Sequence, residues 1–430
     1  MQSFLLKNIK VADKGSKHNG QTGDLGIKDG KIVAFGIDLN ESDYEKTLDF
    51  SECLVSPAFV DVRCNSSEPG YEHRETLQSL NACAMSGGYS TIALLPNSNP
   101  PRESKSEVEF VIHQTESLPV KFLPLGAITH QMKSDDLCEM YDMKQSGAVA
   151  FSNANYPIEN IGTMSRALQY IKSFNGLIYS FCEESELTKG AFVAEGPVAV
   201  SLGLKGMPQM AEYLRIQRDI ELADYHQTRL HISKVSTEKS VDLIRQAKQQ
   251  GIQITCDVAV MNLVLTDEAI MDFDSNLKVN PPLRQAGDVK ALWQGLLDGT
   301  IDAICSDHHP QEVERKKVEF EYAAFGAITL QIAFSLAVEG RNRFCPSLSD
   351  EALLSKFNTE AAQILNLKLA SIEAGSELAI TIINPHKQTI LNKKSSHSLS
   401  ENTYYLDKPL PYYIEATFIQ KNSLFNTNHH

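Results

Sequence analysis

The chain has 430 residues, of which 42% are hydrophobic and 22% charged, and its formal net charge is −14. The length fits one barrel of about 250 residues with a smaller module better than three average domains. The negative charge argues against nucleic acid and anionic membranes as partners, because both would repel it. No apolar run reaches the roughly 18 residues of a membrane span. The eight cysteines show no CxxC spacing, as expected for reduced thiols in a cytoplasm.

Both ends of the chain have the pattern of short strands. Residues 4–10 and 31–36 are β-type runs with the hairpin signal Asp29-Gly30 between them. Residues 377–383, stopped by Asn384-Pro385, and residues 412–419 are two more. We therefore expect residues 1–53 and 369–430 to pair into one small β-sandwich, with 387–402 as an exposed loop.

Between the two ends, short apolar runs alternate with amphipathic stretches such as 236–249. We count eight runs, at 54–62, 91–95, 121–127, 148–151, 177–181, 229–235, 253–258 and 301–305. Repeated βα units of this number predict an α/β fold with a (β/α)8 TIM barrel over residues 54–368. The functional site of such a barrel lies at the C-terminal ends of its strands.

Polar and glycine-containing motifs follow these runs. They are Glu68-Pro69-Gly70, Gly87-Gly88-Tyr89-Ser90-Thr91, Leu95-Pro96-Asn97-Ser98-Asn99-Pro100, Phe181-Cys182-Glu183-Glu184, Leu230-His231-Ile232-Ser233-Lys234, Lys278-Val279-Asn280-Pro281-Pro282 and Ser306-Asp307-His308-His309-Pro310. In this order and spacing, from about residue 4 to 420, the chain resembles dihydroorotase, the cyclic-amide hydrolase of pyrimidine synthesis in the amidohydrolase superfamily. The resemblance implies an amidohydrolase-type barrel with a small β-sandwich.

The resemblance also implies six metal-ligand positions. They are Arg63 and Asn65 in place of a His-x-His pair, Asn153 in place of a bridging aspartate, Phe181 and Lys234 in place of histidines, and the retained Asp307. Zinc needs deprotonated nitrogen, oxygen or sulfur ligands, whereas arginine and lysine are cations, phenylalanine has no lone pair and an amide is a weak donor. We therefore expect no metal cofactor, and zinc only if the family site were reconstituted.

By the same resemblance, Asp307 occupies the catalytic position of a degenerate site, and Asn97, Asn280 and His308 are the candidate substrate-binding residues. An alternative for His308 is a loop histidine bonded to backbone. The family's substrate arginine is replaced by Ser67, which removes the main carboxylate anchor.

The buried charge at Asp307 leads to a sharper expectation. Without metal, this carboxylate would be an unpaired buried anion, which is costly. We predict an ion pair or a short water bridge from Asp307 to Arg63 or Lys234.

Three nearby residues are expected to be structural. Cys64 and Cys182 alternate with lost ligand positions along their strands, so we expect them to be packed core thiols. His231 lies three residues before Lys234, so on a strand the two side chains should point to opposite faces. We therefore expect His231 in the layer between strands and helices, as a core histidine with its hydrogen bonds satisfied.

Three functional hypotheses follow. The first is a non-catalytic dihydroorotase-like scaffold or regulatory partner of aspartate carbamoyltransferase, as the resemblance to inactive dihydroorotase-like chains of bacteria implies. The second is an active dihydroorotase, converting dihydroorotate to N-carbamoyl-aspartate, or another cyclic amidohydrolase with an atypical metal site. The third is a metal-free protein that binds a small ligand. We favour the first, and we expect a homo-oligomer.

Overall fold

Parallel strands and helices alternate through the middle of the chain, and mostly antiparallel strands lie at its two ends. The structure, a computed structural model, describes residues 3–65 and 67–419 and the backbone of 423–426. The strands are Ser3–Val11 (β1), Thr22–Lys28 (β2), Lys31–Gly36 (β3), Lys46–Asp49 (β4), Leu54–Pro57 (β5), Phe59–Cys64 (β6), Tyr89–Leu94 (β7), Lys121–Pro124 (β8), Phe151–Ser152 (β9), Ile178–Phe181 (β10), Val193–Ala194 (β11), Gly206–Met207 (β12), Leu230–Ser233 (β13), Ile254–Ala259 (β14), Ala303–Cys305 (β15), Ala379–Ile390 (β16), Pro409–Ile419 (β17) and Ser423–Asn426 (β18).

The helices lie between the barrel strands and after the last of them. They are Leu77–Ser86 (α1), Lys105–Thr115 (α2), Met140–Gln145 (α3), Ile161–Lys172 (α4), Ser185–Thr188 (α5), Pro197–Leu202 (α6), Met210–His226 (α7), Glu238–Gln249 (α8), Met261–Val264 (α9), Ala286–Leu297 (α10), Val313–Lys316 (α11), Ala333–Phe344 (α12), Asp350–Phe357 (α13) and Thr359–Ile364 (α14). Short 3-10 turns lie at Glu41–Asp43, His130–Met132, Asp267–Asp272, Ser275–Leu277 and Leu330–Ile332.

Eight parallel strands form a closed barrel. They pair in the order β6-β7-β8 and β9-β10-β13-β14-β15. Parallel bridges between Gly126 and Phe151 and between Cys64 and His308 join these two sheets and complete the ring. Each of the eight predicted runs contains one barrel strand, so the predicted (β/α)8 barrel is present.

The first predicted run is two strands rather than one. β5 pairs with β1 and β16 of the terminal sheet, and only β6 belongs to the barrel. Pro57 is the last residue of β5, and the next N–H, that of Ala58, still donates to the carbonyl of Ala379 at 2.9 Å before the chain enters the barrel. The boundary between the two parts therefore falls after Pro57 and not before Leu54.

The two ends of the chain form one eight-stranded sheet, in the order β18-β17-β16-β5-β1-β2-β3 with β4 beside β1. It has its own apolar core, which includes Phe4, Val55 and Phe418. The predicted hairpin from 4–10 to 31–36 was wrong, because β2 lies between these strands. Asp29-Gly30 joins β2 to β3, with both residues at positive φ (52° and 71°), as a two-residue hairpin turn requires.

Two expectations for the C-terminal part are corrected. β16 continues through Asn384-Pro385 to Ile390, and its register with β17 shifts between Asn384 and Gln388, which accommodates the proline. The segment after β16 is not an exposed loop throughout. Asn402 is buried, and its Nδ2 donates to the carbonyls of His309 (3.0 Å) and Gly326 (3.1 Å), so the segment lies against the barrel.

Local sequence explains where α8 begins and which of its faces is buried. In α8 the Thr237 hydroxyl accepts from the N–H of Ser240 at 3.3 Å, which caps the helix. Val241, Ile244 and Ala247 recur at helical spacing and are buried against the barrel. Among the described residues, no helix is long and apolar enough to cross a membrane.

Candidate functional site

Two cations and one carboxylate meet where β6, β13 and β15 end. Lys234 Nζ lies 3.2 Å from Asp307 Oδ2, and Arg63 Nε lies 3.5 Å from Asp307 Oδ1. The side chains of Arg63 and Lys234 are 0% and 1% exposed, and that of Asp307 is 12% exposed. The predicted ion pair of Asp307 is therefore confirmed, and it involves both cations.

The backbone beyond two strands aims these side chains. Lys234 follows β13 and Asp307 follows β15, and both adopt left-handed conformations (φ 56° and 47°). Such conformations are uncommon outside glycine and cost on the order of 1 kcal/mol or more. The backbone N–H of Lys234 donates to Asp257 Oδ1 at 2.7 Å, which holds this turn in place.

Asn155 joins the two cations and was not foreseen from the sequence. Its Oδ1 accepts from Arg63 Nη2 at 2.5 Å and from Lys234 Nζ at 3.0 Å. Asn153, the expected family position, instead accepts from the N–H groups of Ile128 (3.0 Å) and Thr129 (3.2 Å). An amide thus enters the site two residues later in the loop than expected.

Lys234 is held by further groups. Its Nζ donates to the carbonyl oxygen of Asn280 and lies 5.1 Å from the centre of the Phe181 ring. Burial lowers the pKa of Lys234, and the charge of Asp307 opposes that effect. Phe181 therefore packs against an ammonium group at the position where the family resemblance implies a metal-binding histidine.

The side-chain amides of Asn65, Asn97 and Asn280 already make hydrogen bonds within the protein. Asn97 Nδ2 donates to Asn65 Oδ1 at 3.0 Å, and Asn65 Nδ2 donates to the carbonyl of His308 at 2.9 Å. Asn280 Nδ2 donates to Glu183 Oε2 at 3.0 Å, while the buried Asn280 Oδ1 has no hydrogen-bond partner among the described residues. Asn280 therefore retains an acceptor that a ligand could use.

The ring of His308 is held by protein groups other than Asp307, Arg63 and Lys234. Its Nδ1 accepts from the N–H groups of Thr329 (3.1 Å) and Leu330 (3.3 Å), and its Nε2 lies 3.4 Å from Glu75 Oε2. Both ring nitrogens thus have protein partners, and a substrate contact of His308 stays a prediction. The placement matches the alternative of a loop histidine bonded to backbone.

Cys64 and Cys182 are buried in the main core, as predicted. Burial raises the pKa of both thiols well above the ordinary value, and the charges of Asp61 near Cys64 and of Asp219 near Cys182 add to that effect. The hydrogen-bond contacts of the two thiols are to the backbone carbonyl of Asn65 for Cys64 and to Ser180 and Asp219 for Cys182. Both therefore pack as core thiols beside the site.

His231 is a satisfied core histidine, but it lies inside the barrel rather than in the strand–helix layer. Its Nε2 lies 2.9 Å from Asp257 Oδ2, and its ring centre lies 4.2 Å from that of Tyr179. Tyr179 alternates with Phe181 on β10 and is the register partner of His231, so all three face the interior. The parity argument failed because Lys234 lies beyond the strand.

Asp257 is the partner of His231 at the floor of the site. Burial opposes ionisation of this carboxyl, but the hydrogen bond from His231 and its charge keep the pKa of Asp257 below the ordinary value. No sequence motif singled out Asp257, because its role depends on His231 of the adjacent strand, which is distant in sequence.

The donor set does not fit a zinc ion. Arg63 and Lys234 project into the space where the resemblance places metal, and both make an ion pair with Asp307, the only family ligand position that keeps an ordinary ligand. Asn153 is turned to the neighbouring loop, and Phe181 offers no lone pair. The arrangement neutralises a carboxylate with protein cations.

Known proteins resemble this chain over nearly its full length. Residues 52–240 match the family described as dihydro-orotase-like. A dihydroorotase of Pelotomaculum thermopropionicum is 40% identical over 392 residues, covering 90% of this chain and 91% of that protein. A dihydroorotase of a Thermoanaerobacter species is 37% identical, covering 97% and 96%. In structure, the L-hydantoinase of Arthrobacter aurescens gives a TM-score of 0.86 at 22% identity, covering 99% of this chain and 96% of that one, which confirms the barrel fold.

Proposed function

We propose that the chain, which belongs to the dihydroorotase family, is a non-catalytic member that acts in pyrimidine biosynthesis as a scaffold or regulatory partner of aspartate carbamoyltransferase. The observation that carries the first half of this proposal is the pairing of Asp307 with Lys234 and Arg63. These cations take the place of the metal charge that would otherwise balance the carboxylate. The second half rests on the family resemblance alone.

Loss of metal removes the chemistry that a hydrolase of this kind needs. A bound metal supplies both an activated hydroxide and a Lewis acid for the amide carbonyl. At the C-terminal ends of the barrel strands, Ser306 donates its hydroxyl to Asp61 and the Cys182 thiol contacts Asp219, but all four residues are buried away from solvent. Among the described residues there, no serine or cysteine side chain is hydrogen-bonded to a histidine as a substitute. His308, the nearest candidate base, is already bonded to the backbone N–H groups of Thr329 and Leu330. We therefore expect no turnover of dihydroorotate.

The enzyme hypothesis is tested by a direct assay of dihydroorotate hydrolysis and of the reverse ring closure. Wild-type protein and the Asp307→Asn variant should both remain at the level of the buffer. Turnover by the wild type that disappears in the variant would establish a living hydrolase with an atypical site. The names of the relatives are compatible with either outcome, and the donor set is what favours inactivity.

The scaffold hypothesis is tested by mixing the chain with aspartate carbamoyltransferase from the same organism. Co-elution in size-exclusion chromatography, with a change in carbamoyltransferase kinetics, is the expected result. Separate elution at micromolar concentrations of both proteins would contradict it. The net charge of −14 does not select this partner.

A metal-free ligand-binding protein is a second candidate, and one observation favours it. Within the part of the chain that the structure describes, the buried atoms Arg63 Nη1 and Asn280 Oδ1 have no hydrogen-bond partner, so a donor and an acceptor remain at the site. A small ligand with a carboxylate and an amide N–H could satisfy both. Dihydroorotate or N-carbamoyl-aspartate would then raise the melting temperature without being converted.

A further inference from the structure

A glutamate, a histidine and a cysteine converge on the loops that follow β7 and β8. They are separate from the cluster of Arg63, Lys234 and Asp307. They are Glu103, His130 and Cys138, and one ligand atom from each lies within 4.8 Å of the other two. Glu103 Oε1 is 3.6 Å from His130 Nδ1. None of the three coincides with a family ligand position discussed above.

We propose that Glu103, His130 and Cys138 form a binding site for a divalent transition metal of the zinc class, with water as the fourth ligand. Carboxylate, imidazole and thiolate are the three ligand types that zinc takes in proteins, and three protein ligands with one water is a common arrangement. Ligand atoms around tetrahedral zinc lie about 3.4–3.8 Å apart, given bonds of about 2.0–2.3 Å. Closure of this site therefore needs movements of about 1 Å.

A short hairpin fixes two of the three ligands. Thr129 and Leu137 form an antiparallel bridge. On either side of it, the N–H of His130 donates to the carbonyl of Asp136 (3.0 Å) and that of Cys138 to the carbonyl of Ile128 (2.9 Å). The backbone pairing holds His130 and Cys138 on neighbouring strands of one small ribbon.

The third ligand is tied to the same hairpin and to the barrel. Glu103 Oε2 accepts from the N–H of Gln131 at 2.6 Å, and Oε1 lies 3.4 Å from Gln131 Nε2 and 3.6 Å from His130 Nδ1. The preceding residue, Arg102, is fully buried, and its Nη1 donates to the carbonyls of Leu94, Leu95 and Leu125. Glu103 therefore extends from a fixed point of the backbone.

Burial and charge suit a cation that is open to solvent on one side. Cys138 is buried, Glu103 is half-buried and the side chain of His130 is 51% exposed. The carboxylates of Glu103, Glu139 and Glu107 act on the Cys138 position through their negative charge. The same carboxylates favour a bound cation, which would displace the thiol proton to solvent.

Cobalt(II) is the probe for this site, because cobalt bound to a thiolate has charge-transfer absorption in the near ultraviolet. The full chain should bind one equivalent with this band, and zinc should displace it. Cys138→Ser should abolish the band. His130→Ala, at an exposed position that should not disturb folding, should weaken binding by at least about tenfold, since even outer-shell partners are worth about 10- to 100-fold in affinity.

Cys53→Ser is the matched control, because Cys53 is also buried, with its pKa raised by burial to about 11, but lies in the terminal sheet. This variant should keep the band and the affinity of the wild type. The proposal is overturned if the wild type binds no cobalt, or if the band survives in Cys138→Ser or is unaffected by His130→Ala.

Discussion

Asp307 lies between two buried cations, and this arrangement predicts how the chain responds when the carboxylate is removed. Asp307→Asn leaves Arg63 and Lys234 uncompensated, and removal of one partner from a buried ion pair costs about 3–5 kcal/mol. Asparagine tolerates the left-handed backbone at this position, so conformational strain does not confound the result. We expect the free energy of unfolding, measured with urea, to fall by about 3 kcal/mol.

The matched control is Asp272→Asn, since Asp272 is exposed. It should change the free energy of unfolding by less than about 0.5 kcal/mol, as surface substitutions usually do. A wild-type-like or higher stability of Asp307→Asn would mean that this carboxylate is not paired with the cations in solution.

At the residue scale, the pairing of the buried charges could be predicted from the sequence. Which asparagine side chain enters the site could not. The ion pair of Asp307 followed from Coulombic cost alone, once three side chains were placed at strand ends. The entry of Asn155 instead of Asn153 depends on the turn at Ala154, whose φ is 55°. No periodic pattern in the sequence encodes that turn.

At the element scale, strands were predicted better than their ends. All eight apolar runs contain a barrel strand, because buried parallel strands read as continuous apolar sequence. The direction of Lys234 relative to His231 was missed, because strand parity stops applying where the chain turns left-handed after β13. β2 was also missed, because residues 22–28 contain glycine and charged residues and lack a clear alternating pattern.

Two buried lysines hold the segment from Phe320 to Gly326 beside the barrel. Lys278 Nζ donates to the carbonyls of Phe320 (2.9 Å) and Glu321 (2.8 Å). Lys316 Nζ donates to the carbonyls of Ala324 (2.8 Å) and Gly326 (3.0 Å). Burial, together with the charge of Lys278, lowers the pKa of Lys316 to about 7.

This pKa predicts a pH dependence of stability. Between about pH 7 and the ordinary lysine pKa of about 10.4, the unfolded chain keeps the Lys316 proton and the folded chain loses it. The unfolded state then binds more protons, so the contribution of Lys316 to stability rises with pH in this window. Relative to Lys316→Met, the free energy of unfolding of the wild type should therefore increase from pH 7 to pH 9.

Urea unfolding at pH 7, 8 and 9 measures this difference. Lys317→Met is the control at the adjacent, exposed position, and its difference from the wild type should not vary with pH. A pH-independent difference for Lys316→Met would show that the buried amine has the same pKa in both states.

At the scale of the whole molecule, the fold is that of the dihydroorotase family. The residues at the metal-ligand positions implied by the family resemblance are, except for Asp307, not metal ligands. The chain matches dihydroorotases over nine-tenths of its length or more, and its barrel is closed. The barrel strands and the terminal sheet each have an apolar core, which does not depend on a bound metal. A scaffold could therefore keep its shape after the ligands were exchanged.

The most direct test is the zinc content at the barrel mouth. The protein for this test carries two changes. Cys138→Ser removes the thiol of the site proposed at Glu103, His130 and Cys138. Deletion of His429 and His430, which lie outside the described residues, removes a terminal histidine pair. This protein is expressed with excess zinc, dialysed and analysed by plasma mass spectrometry. We predict less than about a tenth of an equivalent per chain, as expected without adequate ligands. One or two equivalents that are lost on Asp307→Asn would contradict the account and make an active metal-dependent hydrolase the better description.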